Sequence, residues 1–155
     1  MNKADIQNLI KELVEKTNVT VHGLDISDDN SKMTLFSLDV SEPHLFTGRG
    51  GEALSALNHL ARKIAEKNAP EGGENDGFLI DIGGFQKQRI DSVRAIAHMM
   101  AERARYFKSN VEVDPMSAFE RRIIHEFLSD ATDLKTESMG EGPSRRVVIR
   151  YTGVI

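Results

Sequence analysis

The chain has 155 residues, 39% of them apolar and 28% charged, with a net charge of −4. That length supports one ordinary domain or two small ones around a real core. The lack of cysteine excludes disulfides, thiolate catalysis and cysteine–zinc centres, and the acidic balance argues against binding phosphate backbones through bulk charge.

The N-terminus, MNKADIQNLIKELVEK, is interrupted by acids and lysines and does not read as a signal peptide. No apolar run approaches the roughly 18 residues of a membrane span, so a cytoplasmic protein is expected. Residues 3–16 place Ile6, Leu9, Ile10, Leu13 and Val14 at helical spacing. Two strand-like runs follow at 19–26 and 32–40, and SDDNS between them predicts a hairpin turn. A helix over 52–67 puts Leu54, Leu57, Leu60, Ala61 and Ile64 on one face. The polar, glycine-rich stretch 68–77 is a loop, followed by a short strand at 78–82. A longer helix, 85–107, turns Ile90, Val93, Ile96, Ala97, Met100 and Ala104 inward. After an extended piece at 111–114, Asp114 as cap and Pro115 in the first turn predict a helix running to about Asp130. Strands at 132–139 and 145–151, joined by GEGPS, close the chain. The order α-β-β-α-β-α-β-α-β-β places the chain in the α+β class.

Residues 47–52 read TGRGGE, just ahead of a helix. Glycines permit positive φ and close approach of backbone to ligand, and a helix start presents unpaired N–H groups. Arg49 adds a phosphate-seeking charge, so the string can cradle a phosphodiester. Spacing alone says little, because 12 glycines in such a chain give about one G-x-x-G by chance. Its setting says more. A G-x-x-G opening a helix, with helix and hairpin upstream and a strand downstream, resembles a KH domain of the bacterial (type II) topology over residues 1–85. The resemblance implies that Gly48, Arg49, Gly50 and Gly51 clamp the backbone of about four nucleotides. Thr47 stands where an aliphatic residue is usual and Gly50 where a polar one is common, which implies a looser clamp.

The string FERRIIHEFL sets Arg121 and His125 four residues apart on one helical face, away from Phe119, Ile123, Ile124, Phe127 and Leu128. Both are expected to be exposed and adjacent, free to meet phosphate oxygens, with the His binding more strongly when protonated. Glu126 can pair with Arg122 instead. Arg94 and His98 repeat the same spacing on ordinary helix surface. The second pair differs in being followed by RRVVIRY, whose Arg145, Arg146 and Arg150 a helix–hairpin packing could bring near Arg121. PMSAFERRIIHEFLSD followed by GEGPSRRVVI resembles an R-3-H domain, here over 86–155, in the form found after a KH domain in the bacterial Jag (SpoIIIJ-associated) proteins. That resemblance covers nearly the whole chain and makes 68–77 a loop inside the KH domain. Jag proteins often carry a further N-terminal domain, whereas this chain begins at the KH helix.

The implied function is binding of single-stranded RNA, or single-stranded DNA, in a regulatory role, with a small KH protein as a further partner. Arg121, His125, Arg145 and Arg146 would supply a second phosphate contact. Histidines at 22, 44, 59, 98 and 125 show no metal-ligand spacing, and neither H-E-x-x-H nor G-x-S-x-G occurs. Asp28-Asp29 is a turn former. No enzyme, cofactor or metal is expected. A different class also stays open, a protein-interaction adaptor with vestigial nucleic-acid binding.

Overall fold

Asn2 starts the first helix, α1 (Lys3–Glu15), through a reciprocal capping box. Its Oδ1 accepts from the Asp5 N–H at 2.9 Å, and its own N–H donates to Asp5 Oδ2 at 3.2 Å. The computed structural model describes residues 1–28, 33–71 and 77–153. Among these lie four helices and two three-stranded sheets, an α+β fold. The chain divides into two compact units, Met1–Lys87 and Gln88–Ile155.

In the first unit, β1 (Val21–Asp28) pairs antiparallel with β2 (Met33–Val40), running from Val21↔Val40 to Asp28↔Thr34. Ser27 and Asp28 of the expected turn thus extend β1, and Asp29, Asn30 and Ser31 lie outside the described residues. β3 (Gly77–Ile82) runs parallel to β2, with Phe36 opposite Ile80 and Leu38 opposite Ile82. Parallel neighbours need a crossover, and α2 (His44–Lys67) supplies it. Of the expected loop 68–77, Gly77 belongs to β3, and 72–76 are outside the described residues.

Alternation on β2 sends Thr34, Phe36, Leu38 and Val40 inward, where Phe36 meets Phe78 edge-on at 5.9 Å. α1 adds Ile10 and Val14, and α2 adds Phe46, Leu54, Leu57, Ala61 and Ala65. Leu60 does not join them: it is 49% exposed. On the wheel it falls about 120° from the centre of the buried stripe, whereas Asn58 lies within that stripe. Asn58 is 4% exposed and completes the outer edge of β3, accepting from the Ile80 N–H at 2.8 Å and donating to the Ile80 carbonyl at 3.0 Å. The equally buried Asp81 accepts from the N–H groups of Gln86 and Lys87, which caps α3 (Phe85–Phe107).

From Gln88 onward α3 belongs to the second unit and turns Val93, Ala97, Ala101 and Ala104 into its core. Ile96, expected inward, is 36% exposed, and Ala101 holds the stripe in its place. The short β4 (Val111–Glu112) and β5 (Leu134–Met139) flank β6 (Arg146–Tyr151), all antiparallel. α4 (Ala118–Phe127) contributes Ile123 and Ile124, and Val147 and Ile149 face them from the sheet.

The start of α4 corrects the sequence reading. Asp114 and Pro115 lie before the helix, in chain held to the sheet by hydrogen bonds from the Val113 N–H to Val147 O and from the Met116 N–H to Arg145 O. The cap is Ser117, whose Oγ accepts from the Glu120 N–H while Glu120 Oε2 accepts from the Ser117 N–H. A two-sided capping box beside an edge of the sheet outweighs a proline, which tolerates extended backbone equally well. The helix ends at Phe127, not at Asp130.

Candidate nucleic-acid interface

The glycine turn sits inside α2, not ahead of it. Residues 44–47 already form a helical turn anchored by buried Phe46, and Thr47 Oγ1 donates to Pro43 O at 3.1 Å. Gly48 then breaks the helix with φ −65° and ψ 160°. Arg49, Gly50 and Gly51 follow in left-handed conformation, with φ of 53°, 70° and 77°. A short helix with an aromatic anchor on only one turn has no periodicity to read, so the sequence concealed it. Gly48, Arg49 and Gly50 are exposed, whereas Gly51 is buried, with its Cα against the Phe85 ring. Arg49 is the unusual member, since a left-handed arginine costs about 1 kcal/mol or more. Strain of that kind gathers where a backbone shape serves a ligand. Behind the turn α2 resumes, its dipole directing positive charge at the glycines.

In the second unit the expected Arg and His face divides. Arg121 is half-buried, and its Nη1 donates to Met116 O at 2.7 Å. His125 is not exposed as expected: its Nδ1 lies 2.6 Å from Thr136 Oγ1 and its Nε2 lies 2.9 Å from Ser138 Oγ. Thr136 and Ser138 share the helix-facing side of the sheet with Ile149 and Val147, opposite which they pair. The wheel places Arg121 and His125 away from the apolar arc, but a sheet wider than that arc also covers the helix flank. Burial, and secondarily the charge of Arg121, hold the imidazole below its ordinary value of 6.5. Both ring nitrogens are engaged by β5, and the lowered value favours the neutral ring.

A pH dependence follows. The folded chain binds the His125 proton less readily than the unfolded chain does, so this residue's contribution to stability is full above about 6.5 and is lost as pH falls through the lowered folded value. Urea midpoints measured between pH 8 and pH 5 should drop more for the wild type than for His125→Gln. Equal slopes would remove the assignment.

The arginines of the last strand also divide. Arg146 and Arg150 alternate with the core residues Val147 and Ile149, so they lie on the opposite face of the sheet. Each is neutralised there, Arg146 by both oxygens of Glu112 and Arg150 by Glu137 at 2.7 Å. Arg145, just before the strand, donates to Gly140 O at 2.8 Å and lines an open groove of about 670 Å³ with Arg121. Pro115, Ser117, Pro143 and Arg89 complete much of that groove. Arg89 and Glu120 form a 2.6 Å ion pair at its wall. Burial would raise the Glu120 carboxyl, but the hydrogen bonds from Arg89 and Ser117 hold it below the ordinary carboxylate range.

Among the described residues neither Arg121 nor Arg145 has a carboxylate partner. Both face the start of α4, where the N–H groups of Ala118 and Phe119 have no intrahelical acceptor. The groove therefore presents positive charge and free donors in an acidic chain, the chemistry of an anion site. The structure thus places Arg121 and Arg145 together, and His125 and Arg146 elsewhere. Arg122 makes no ion pair with Glu126 among the described residues. Sequence reading missed Ser117, Glu120 and Arg89; the string SAFE is itself a capping-box pattern and could have located the groove's helix start. Among the described residues no group of three or more His, Asp and Glu could hold a metal, and no helix is long and apolar enough to cross a membrane.

Comparison with known proteins finds likenesses to the second unit and to most of the chain. Residues 91–151 match the R-3-H domain, so the second unit carries one. Over 151 residues, 96% of the chain, it is 27% identical to the RNA-binding protein KhpB of Bacillus subtilis, spanning 68% of that protein. It is 28% identical over 137 residues to the KhpB of Lactiplantibacillus plantarum, covering 88% of this chain and 41% of that one. The KhpB of Clostridium symbiosum is 25% identical over 143 residues, covering 90% of this chain and 62% of the other.

Proposed function

We propose that this chain, with an R-3-H domain in its second unit, binds single-stranded RNA in a regulatory role. The observation that carries the reading is the pair Arg121 and Arg145, without carboxylate partners among the described residues, at the start of α4. In this reading the two guanidinium groups and the first N–H groups of α4 hold phosphate oxygens. His125 positions Arg121 by tying α4 to β5 and makes no phosphate contact itself. The names of the relatives supply RNA as the polymer.

The first unit supports a KH reading of residues 1–85. Its α-β-β-α-β order, its parallel β2–β3 pair and the strained turn within α2 are the features such a domain requires. Gly48, Arg49 and Gly50 then contact backbone, and buried Gly51 shapes the turn from below. Two modules on one chain raise apparent affinity through effective concentration, which compensates for a weak single clamp. The proposed activity is binding and not catalysis, because the groove offers fixed positive charge while its carboxylate is committed to Arg89 and Ser117.

Fluorescence anisotropy of a labelled single-stranded RNA, titrated at several salt concentrations, tests this. The wild type should bind with affinity falling as salt rises. Arg121→Ala with Arg145→Ala should weaken binding about tenfold and flatten the salt slope by roughly one per lost phosphate contact. Arg49→Asp with Gly50→Asp should weaken it independently, whereas Arg94→Ala should not. A salt slope near zero, or equal binding by all variants, overturns the reading. A matched single-stranded DNA decides the polymer.

A further inference from the structure

The last turn of α3 leaves two aromatic rings in water. Tyr106 is 82% exposed and Phe107 61%, the two most exposed large apolar side chains among the described residues. Their rings meet edge to face, with centroids 5.0 Å apart and planes at 86°, so broad ring faces stay uncovered. Aromatic side chains normally gain stability by burial, and an exposed pair of them on one helix end marks a contact surface.

The backbone beside them is strained. Lys108 has φ 48°, its N–H bonds to Arg105 O, and the Ser109 N–H bonds to Ala104 O. This is the hydrogen-bond pair of a helix terminator whose left-handed position favours glycine. A lysine there keeps a cation next to the rings at a conformational cost that glycine would avoid. Arg103, exposed one turn earlier, lies on the same side of the helix as Tyr106 and Phe107. Arg105 takes the nearby carboxylates of Glu102 and Asp133, and among the described residues neither Arg103 nor Lys108 has an acidic partner.

We infer that this end of α3 is a stacking platform for single-stranded nucleic acid, with unpaired bases on Tyr106 and Phe107 and phosphates at Arg103 and Lys108. Alternating cations and open rings match a polymer that alternates phosphates and bases. An apolar protein face would leave both cations unanswered. The inference rests on the proposed RNA binding and adds a site apart from the residues that line the groove.

The same labelled RNA tests it with the full chain. Tyr106→Ala with Phe107→Ala should weaken binding by about tenfold or more, with an unchanged circular dichroism spectrum. Tyr106→Phe should bind as the wild type does. Lys108→Gly should weaken binding while leaving thermal stability equal or higher. The chain has no tryptophan, so tyrosine emission is readable, and RNA should quench a component that Tyr106→Phe lacks. If the wild type binds and the double alanine variant binds equally well, the platform is overturned and the groove reading stands. No binding by the wild type at low salt overturns both. A change in sedimentation for the double variant with RNA affinity unaltered assigns the rings to a protein contact, which also overturns the platform.

Discussion

Asn58→Ala should destabilise the first unit by about 4 kcal/mol, more than any other polar substitution proposed for this chain. The amide closes the outer edge of β3 at one residue, bonding to both the N–H and the carbonyl of Ile80, which is fully buried. Alanine leaves both groups without partners in a dry setting, and each unsatisfied group costs roughly 1–3 kcal/mol. It also frees the helix behind the glycine turn from the sheet, because Asn58 sits on α2 and its bonds to Ile80 join the two. The expected signs are a lower urea midpoint for the first unit and lost hydrogen-exchange protection at the Ile80 amide. Asn8→Ala, on the exposed side of α1, should change stability by no more than about 0.5 kcal/mol. A similar small change for Asn58 would show that the edge of β3 does not depend on it.

Gly51→Ala should cost about 3 kcal/mol through two separate effects. With φ 77°, any side chain there meets left-handed strain. A Cβ would also lie 2.4 Å from Phe85 Cε1, so the ring must leave its place against the core. Gly48→Ala is the internal control, since Gly48 has an ordinary φ of −65° and nothing within 4 Å of a Cβ. It should be neutral within about 0.5 kcal/mol. Urea denaturation of both variants separates a turn built on packing from one that only needs flexibility. Equal tolerance at both positions would refute the account of Gly51. The contrast bears on function too: Gly51 sets the shape of the turn, and exposed Arg49 and Gly50 remain its surface.

Much of the molecule is legible in its sequence. The order of elements follows from periodicity and breakers, because α1 and β2 each bury one regular stripe. Helical spacing and the arginine-rich last strand pointed to Arg121, His125, Arg145 and Arg146, of which Arg121 and Arg145 line one groove. Local patterns failed where partners come from far along the chain. Leu60 and Ile96 fit a helical stripe but face solvent, and Asn58, which the expected stripe did not include, is buried because β3 needs an edge partner.

The charged residues show the division most clearly. The sequence by itself determined that cations follow one another at 121, 122, 145, 146 and 150 in an acidic chain, and that Gly48, Gly50 and Gly51 cluster around Arg49. Only the tertiary structure decided which of those charges remain available. Strand alternation sends Arg146 and Arg150 to Glu112 and Glu137, and sheet packing closes β5 over His125, while Arg121 and Arg145 keep no carboxylate among the described residues. A charge is free or spent according to what lies across the sheet from it, and that neighbour is set by register, which residue spacing along one helix does not contain.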